Sequence, residues 1–206
     1  MKTILDHFPG LAQDQVSQYE ALQSLYTDWN QKINVISRKD IENLYEHHVL
    51  HSMLISKFFH PVSGTKFLDF GTGGGFPGIP LAIMWPECHF HLIDGTGKKI
   101  KVVEEVSKSI GLKNVVASHI RGEEEKGKYD FIISRAVMPL QDMVKIVRKN
   151  ISQRQHNAIG NGILSLKGGD IRLETSPFRR IIETIPLSEY TSLDWYKEKY
   201  LIYLPL

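Results

Sequence analysis

Cysteine is nearly absent: Cys88 is the only one in 206 residues. An intrachain disulfide is therefore excluded, and the chain suits a reducing compartment. Cys88 itself reads as a small buried or half-buried apolar group. Long apolar runs are missing as well. None approaches the roughly 20 residues of a membrane helix. Asp6 and His7 interrupt the opening stretch MKTILDHFPG, so no secretory signal and no membrane association are expected. Neither sign of charge dominates: 25 Lys and Arg face 23 Asp and Glu, a formal net charge of +2. That balance permits an anionic partner without demanding one. The chain has no repeat and no low-complexity segment. Its 42% hydrophobic and 23% charged residues are an ordinary globular composition. The length can bury a core unaided and suits one domain with an appendage, or two small domains.

Apolar spacing organises the chain. Leu22, Leu25, Tyr26, Trp29 and Ile33 recur at three- and four-residue intervals and predict a helix. A second helix is expected after Asp40 as cap, with Ile41, Leu44, His48 and Leu54 inward. Pro61 and Gly64 end this helical segment, residues 1–60. From there to residue 206 short apolar runs alternate with helical stretches. KFLDF, HFHLID, NVVASHI, YDFIISRAV, GILSLKG, RRIIETIPL and KYLIYLPL are strand candidates. Pro77 to Trp85, Lys98 to Ile110 and Leu140 to Asn150 are helix candidates. Alternation of this kind predicts an α/β fold, a mostly parallel Rossmann-like sheet with helices on both faces. The last two strand runs have no long helix between them, so an antiparallel end to the sheet is expected.

Glycine is concentrated where strand passes to helix, in FLDFGTGGGFPGIPLAI: Gly71, Gly73, Gly74, Gly75 and Gly78. Such a loop lies at the carboxyl end of a parallel strand, where open sheets bind ligands. The pattern is G-x-G-x-G. It lacks the third glycine of the dinucleotide fingerprint, whose place is taken by Phe76, and it lacks the Gly-Lys-Ser/Thr of a phosphate loop. Asp69 precedes the loop. Asp94 closes the next strand run, where an acid can accept both hydroxyls of a ribose. The alternative is a plain acid ahead of the Lys98 helix, but the ribose role fits the geometry of the glycine loop better.

An acid before G-x-G-x-G, with a strand-terminal acid after it, resembles the class I S-adenosylmethionine-dependent methyltransferases. A longer series sharpens this: WNQKINVIS, EHHVLHS, GTGGGFPGIPLAI, LIDGTGKKIKVVEEV, IGLKN, YDFIISRAVMPL and LKGG, in that order. From about Trp29 to Gly169 the chain is similar to the bacterial 16S ribosomal RNA guanine-N7 methyltransferases, the glucose-inhibited division protein B family. Relative to that family His47 and His51 stand where Arg and Asp are usual, and Gly95 and Gly97 stand in place of Ser and Asn. The resemblance implies a cytoplasmic enzyme, expected to be a monomer, that transfers a methyl group from S-adenosylmethionine to N7 of a guanine in 16S ribosomal RNA or the small ribosomal subunit. By position it implies Asp69, Gly71, Gly73, Gly75 and Phe76 around the amino-acid end of the cofactor. It also implies Asp94, Gly95 and Thr96 at the ribose, and Gly122 and Glu123 at the adenine. Arg135, from the Ser-Arg-Ala of strand four, and Asn34 are the candidates at the reacting centre, though Asn34 could equally be an amide that caps or turns the chain. Glu124 and Glu125 read as a solvated acidic loop.

Guanine N7 has a lone pair and no proton to lose, so no general base is required and catalysis would rest on positioning and water exclusion. Lys98, Lys99 and Lys101, with Arg38, His47, His48, Arg148 and Lys167, are candidates for RNA contacts. The three histidines His47, His48 and His51 lack the cysteine or paired carboxylates of a metal site, and no metal is expected. Two other readings compete: a nicotinamide-dependent oxidoreductase, disfavoured by Phe76, and a noncatalytic RNA-binding protein on the same fold, disfavoured by the intact glycine loop.

Overall fold

The computed structural model describes residues 1–206. Seven strands form one sheet in the order β3-β2-β1-β4-β5-β7-β6. They are β1 Lys66–Phe70, β2 His89–Asp94, β3 Val115–His119, β4 Phe131–Arg135, β5 Gly162–Gly168, β6 Glu183–Pro186 and β7 Lys199–Pro205. The first five run parallel, and β7 pairs antiparallel with both β5 and β6. The expected antiparallel end is therefore present, although only Glu183–Pro186 of RRIIETIPL is strand. Strand order reverses between β1 and β4, which places the carboxyl end of β1 at the switch point.

The helices are α1 Lys2–His7, α2 Gln13–Lys32, α3 His51–Met53, α4 Ile55–Phe58, α5 Gly78–Met84, α6 Gly97–Ser109, α7 Leu140–Val147 and α8 Arg172–Thr175. On one face of the sheet the N-terminal segment packs together with α5 and α6. Tyr19, Leu22, Tyr26, Leu44 and Leu54 share a core there with Phe67, Phe90 and Phe131. Phe67 stacks on Phe90 at 4.8 Å between ring centroids and on Trp85 at 5.4 Å. The other face is covered by α7, whose Leu140, Met143, Val144 and Val147 meet Leu68, Ile132 and Ile163. Helix α6 buries Ile100, Val102, Val103 and Val106, at the apolar spacing of Ile100, Val103, Val106 and Ile110 within the expected Lys98 to Ile110 helix. Helix α7 ends three residues early, and Arg148–Asn150 continue as a 3₁₀ turn.

The second N-terminal helix differs from expectation. Ile41–Asn43 is 3₁₀ and Leu44–Leu50 is a π turn before α3 and α4. Asp40 makes no capping bond to this helix. Its carboxylate is taken instead by two adjacent histidines, His47 Nδ1 at 2.5 Å and His48 Nε2 at 2.8 Å. The wider π turn leaves both rings within reach of one carboxylate, and such turns gather at functional sites.

Three polar contacts, the two from tyrosines buried, fasten this segment to α5 and the glycine loop. Gln15 accepts the Ala12 N–H at the start of α2 and donates to the Ile83 carbonyl at the end of α5. Tyr19 O–H donates to the Pro80 carbonyl at 2.7 Å. Tyr26 O–H donates to the Gly74 carbonyl at 2.6 Å, inside the glycine loop. Removing that hydroxyl strands a buried carbonyl, which costs about 1–3 kcal/mol. Tyr26→Phe should therefore lose about that much stability in urea titrations, whereas Tyr45→Phe, at a hydroxyl nearer the surface, should lose less.

Candidate active site

The loop between β1 and α5 is held from beneath. Thr72 O–H and Gly78 N–H both donate to Asp69 Oδ2, at 2.6 and 2.8 Å. Asp69 is completely buried and its Oδ1 has no partner. Burial pushes the carboxyl up to about 7, against the two hydrogen bonds and the nearby Arg135 that favour its charged form. A Cβ at position 78 would stand 2.6 Å from Asp69 Oδ2, so only glycine allows this approach. Gly73 has φ +58°, and a Cβ there would meet nothing within 4 Å. Within this loop it is the position where the dihedral favours glycine and the space above is open.

Above the loop lies an open cleft of about 230 Å³, walled by the carboxyl ends of four adjacent strands. Phe70 and Gly71 come from β1, Ile93 to Gly95 from β2, Ile120 to Glu123 after β3, and Val137 and Met138 after β4. Asp94 accepts the Gly73 N–H at 3.0 Å and the Thr96 N–H at 2.8 Å, one on each oxygen. Each oxygen keeps lone-pair capacity for a further donor. Gly122 rests against the Phe70 ring, which a Cβ would overlap. Ala136 lies in the left-handed region at φ +51°. This turns the chain at the end of β4 and lays Val137 over Gly71, where a Cβ would come within 2.8 Å of it. Strain of this kind collects at functional sites.

Several expected site residues have other duties. Asp69 does not reach the cleft: it anchors the loop. Gly75 and Phe76 are buried, with the Phe76 ring 5.0 Å from Tyr26. Lys167 is buried and donates to the Met138 carbonyl at 2.6 Å and to Glu174 at 2.8 Å, so it braces the cleft wall and is no RNA contact. His47 and His48 are held by Asp40, and His47 stacks on Trp195 at 4.3 Å, so neither is free for phosphate. Glu125 is buried, not solvated: it accepts the Tyr129 O–H at 3.1 Å beside His91, which pins the loop after β3. Arg148 is exposed, two residues before Asn150, which pairs with Tyr129 at the entry of β4 and away from the cleft.

The remaining expectations divide between the cleft and its surroundings. Lys98 and Lys101 are exposed at the start of α6, and Lys99 Nζ stands 4.0 Å from Asp94. Arg38 is exposed beside Thr27, Asn30 and Gln31 in a separate polar recess. Asn34 is exposed on the loop after α2, next to Val35, which packs against Gly74. It does not turn the chain there. Asn30 does, accepting the Val35 and Ile36 N–H groups at 2.9 Å each. Arg135 lies outside the cleft wall, partly buried on the other side of the glycine loop. Asn30, Asp40 and Arg121 carried no motif in the sequence that would have singled them out. Asp40 was legible only as a helix cap.

The strand order, the glycine loop and the acid at the end of β2 define a class I S-adenosylmethionine-dependent methyltransferase. A solved S-adenosylmethionine-dependent methyltransferase from Aquifex aeolicus has the same fold, with TM-score 0.57 at 16% identity over 82% of this chain and 98% of that one. The family model described as rRNA small subunit methyltransferase G matches residues 15–181. Two relatives called ribosomal RNA small subunit methyltransferase G are similar over nearly the whole chain. The Phocaeicola vulgatus protein is 55% identical, covering 100% of this chain and 99% of its own length. The Bacteroides thetaiotaomicron protein is 56% identical, covering 98% of each. The chain belongs to the rRNA small subunit methyltransferase G family.

Two outcomes follow from this geometry. Gly73→Leu projects a side chain into open space at a backbone cost of about 1–2 kcal/mol. Calorimetric titration should show at least a tenfold loss of S-adenosylhomocysteine affinity, with the fold retained by circular dichroism. The second concerns acid stability. Burial lowers His48 from 6.5 to about 4, helped by Arg135, and lowers His51 well below 6.5. The unfolded chain therefore takes up these protons first, so stability is full above about pH 6.5 and is lost as pH falls toward 4. Asp69, raised to about 7, opposes part of that slope. His51 is buried with neither ring nitrogen paired, against Trp195 and Tyr196. His51→Leu should stabilise the protein in urea by about 1 kcal/mol or more at pH 5, with a smaller gain at pH 8.

Proposed function

We propose that this protein transfers the methyl group of S-adenosylmethionine to N7 of a guanine in 16S ribosomal RNA, working in the cytoplasm as a monomer. The reading is carried by one arrangement: four adjacent strand ends enclose a single cleft with an acid at the end of β2, in a chain that matches the family model over residues 15–181. Asp94 and Gly95 would accept the ribose hydroxyls. Ile120, Gly122 and Glu123 would flank the adenine, with Val137 and Met138 as the opposite wall. The amino-acid end would lie against Gly71 and Gly73. When bound, the cofactor supplies an already activated methyl group. The protein's part is orientation and exclusion of water, since N7 presents a lone pair and releases no proton.

Arg135 is assigned to the acceptor side. Its guanidinium has five N–H groups, of which two are used internally, so three remain for a guanine edge or a neighbouring phosphate. Asn34, exposed next to Val35, which packs on Gly74, is assigned to the acceptor side as well. Lys98, Lys101 and Arg38 supply exposed positive charge for the RNA backbone. The oxidoreductase reading loses its footing at position 76. The dinucleotide fingerprint has there the glycine that lets the helix pack closely on the strand, whereas this chain has Phe76, whose ring packs 5.0 Å from Tyr26.

The test is transfer of labelled methyl groups to 16S ribosomal RNA, naked and within small subunits, followed by mapping of the product by mass spectrometry. Label on guanine N7 is expected, and label on any other atom or none at all would end the proposal. In the same assay Lys98→Ala/Lys101→Ala should lower the slope of log affinity against log salt by about 1–2, with S-adenosylhomocysteine affinity unchanged.

A further inference from the structure

The guanidinium of Arg135 is gripped from the N-terminal side. Nη1–H donates to the His47 carbonyl at 3.2 Å, and Nη2 stands 2.9 Å from His48 Nδ1. The Phe76 ring supports it from below, 5.0 Å from the guanidinium carbon. A guanidinium only donates, so His48 Nδ1 must be the acceptor, and the single proton of the neutral imidazole must sit on Nε2. That N–H faces Asp40 Oδ2 at 2.8 Å. Every bond in the row Asp40–His48–Arg135 therefore has a fixed direction: carboxylate accepts, imidazole donates on one side and accepts on the other, guanidinium donates.

We infer that Asp40 and His48 are positioning residues for methyl transfer: the carboxylate selects the imidazole tautomer, and that tautomer's lone pair fixes the plane of Arg135 beside the glycine loop. This rests on the assignment of Arg135 to the acceptor purine. The row spans three separate parts of the chain: the turn before the π segment, the π segment itself and the end of β4. Phe76 belongs to the loop that also contributes Gly71 to the cleft wall. The guanidinium is thus held in register with the cofactor side through Phe76 and with the N-terminal segment through His48. A side chain with several rotatable bonds needs such support to present a planar fork in one orientation. The other oxygen of Asp40 is occupied by His47, and the His47 ring is clamped on Trp195, which stops the carboxylate from turning away.

Two amides separate the two ends of the imidazole. His48→Asn places an acceptor oxygen near Nδ1 but cannot reach Asp40. His48→Gln reaches toward Asp40 but removes the acceptor that Arg135 uses. The expected result is kcat within about fivefold of wild type for His48→Asn and at least thirtyfold lower for His48→Gln, with KM for S-adenosylmethionine within twofold in both. In an Arg135→Lys background, His48→Gln should cost less than threefold, because its effect runs through the guanidinium. Equal losses for the two amides, or an undiminished loss in the Arg135→Lys background, overturn the inference. Full activity of Arg135→Ala would instead refute the role of Arg135 itself. Should a variant fail to fold, the wild type still decides: ¹⁵N shifts of His48 at pH 7 must report the proton on Nε2, and a proton on Nδ1 refutes the row whatever the kinetics show.

Discussion

The site depends on one buried carboxylate. Asp69 sits at the end of β1 with no access to water and gathers the glycine loop around a single oxygen, through Thr72 and Gly78. Without that oxygen the loop would have a buried amide and a buried hydroxyl unpaired, and nothing to hold its path. Three consequences follow from the loop's course. Gly71 is brought under Val137, the Gly73 amide is delivered to Asp94, and Phe76 is carried back beneath Arg135. Burial that raises the carboxyl to about 7 is the cost of the arrangement, and it buys a rigid rim for the cleft.

The N-terminal segment is part of the same construction. It shares the larger core with α5 and α6, and its polar groups end inside the loop it covers. Tyr26 holds the Gly74 carbonyl, Val35 packs on Gly74, and His47 and His48 receive Arg135. The connection between β6 and β7 closes this side, with Trp195 stacked on His47 and Tyr196 O–H donating to the Glu46 carbonyl at 2.5 Å. The antiparallel end of the sheet thus helps to set the geometry at the end of β4.

Charged and polar side chains taken out of water here serve as braces. Lys167 and Glu174 form a largely buried pair that also catches the Met138 carbonyl and the Leu140 N–H, which fixes the wall after β4. Ser118, His91, Tyr129 and Glu125 form a row that fixes the wall after β3. Such pairs add little net stability, because desolvation offsets their attraction. Their effect is on shape: two cleft walls carried by loops are held as firmly as the strands they follow.

The helices and strands were legible because their signals are local. The short apolar run of KFLDF becomes a strand buried on both faces, and the spacing of Ile100, Val103 and Val106 becomes the face that α6 buries. The glycine loop and Asp94 were legible for the same reason: both lie at the junctions of those elements. What the tertiary structure alone decided is which polar side chains face the cleft and which face each other. Phe76, Lys167 and His47 occupy positions compatible with ligand contact, yet each is turned toward a partner distant in the chain, Arg135, Met138 and Trp195 respectively, while Asp69 is turned inward to Thr72 and Gly78 of its own loop. A short sequence pattern carries the period of an element and the chemistry of a side chain. It does not carry the direction in which a long-range hydrogen bond will draw that side chain, because the partner is set by packing across the whole sheet.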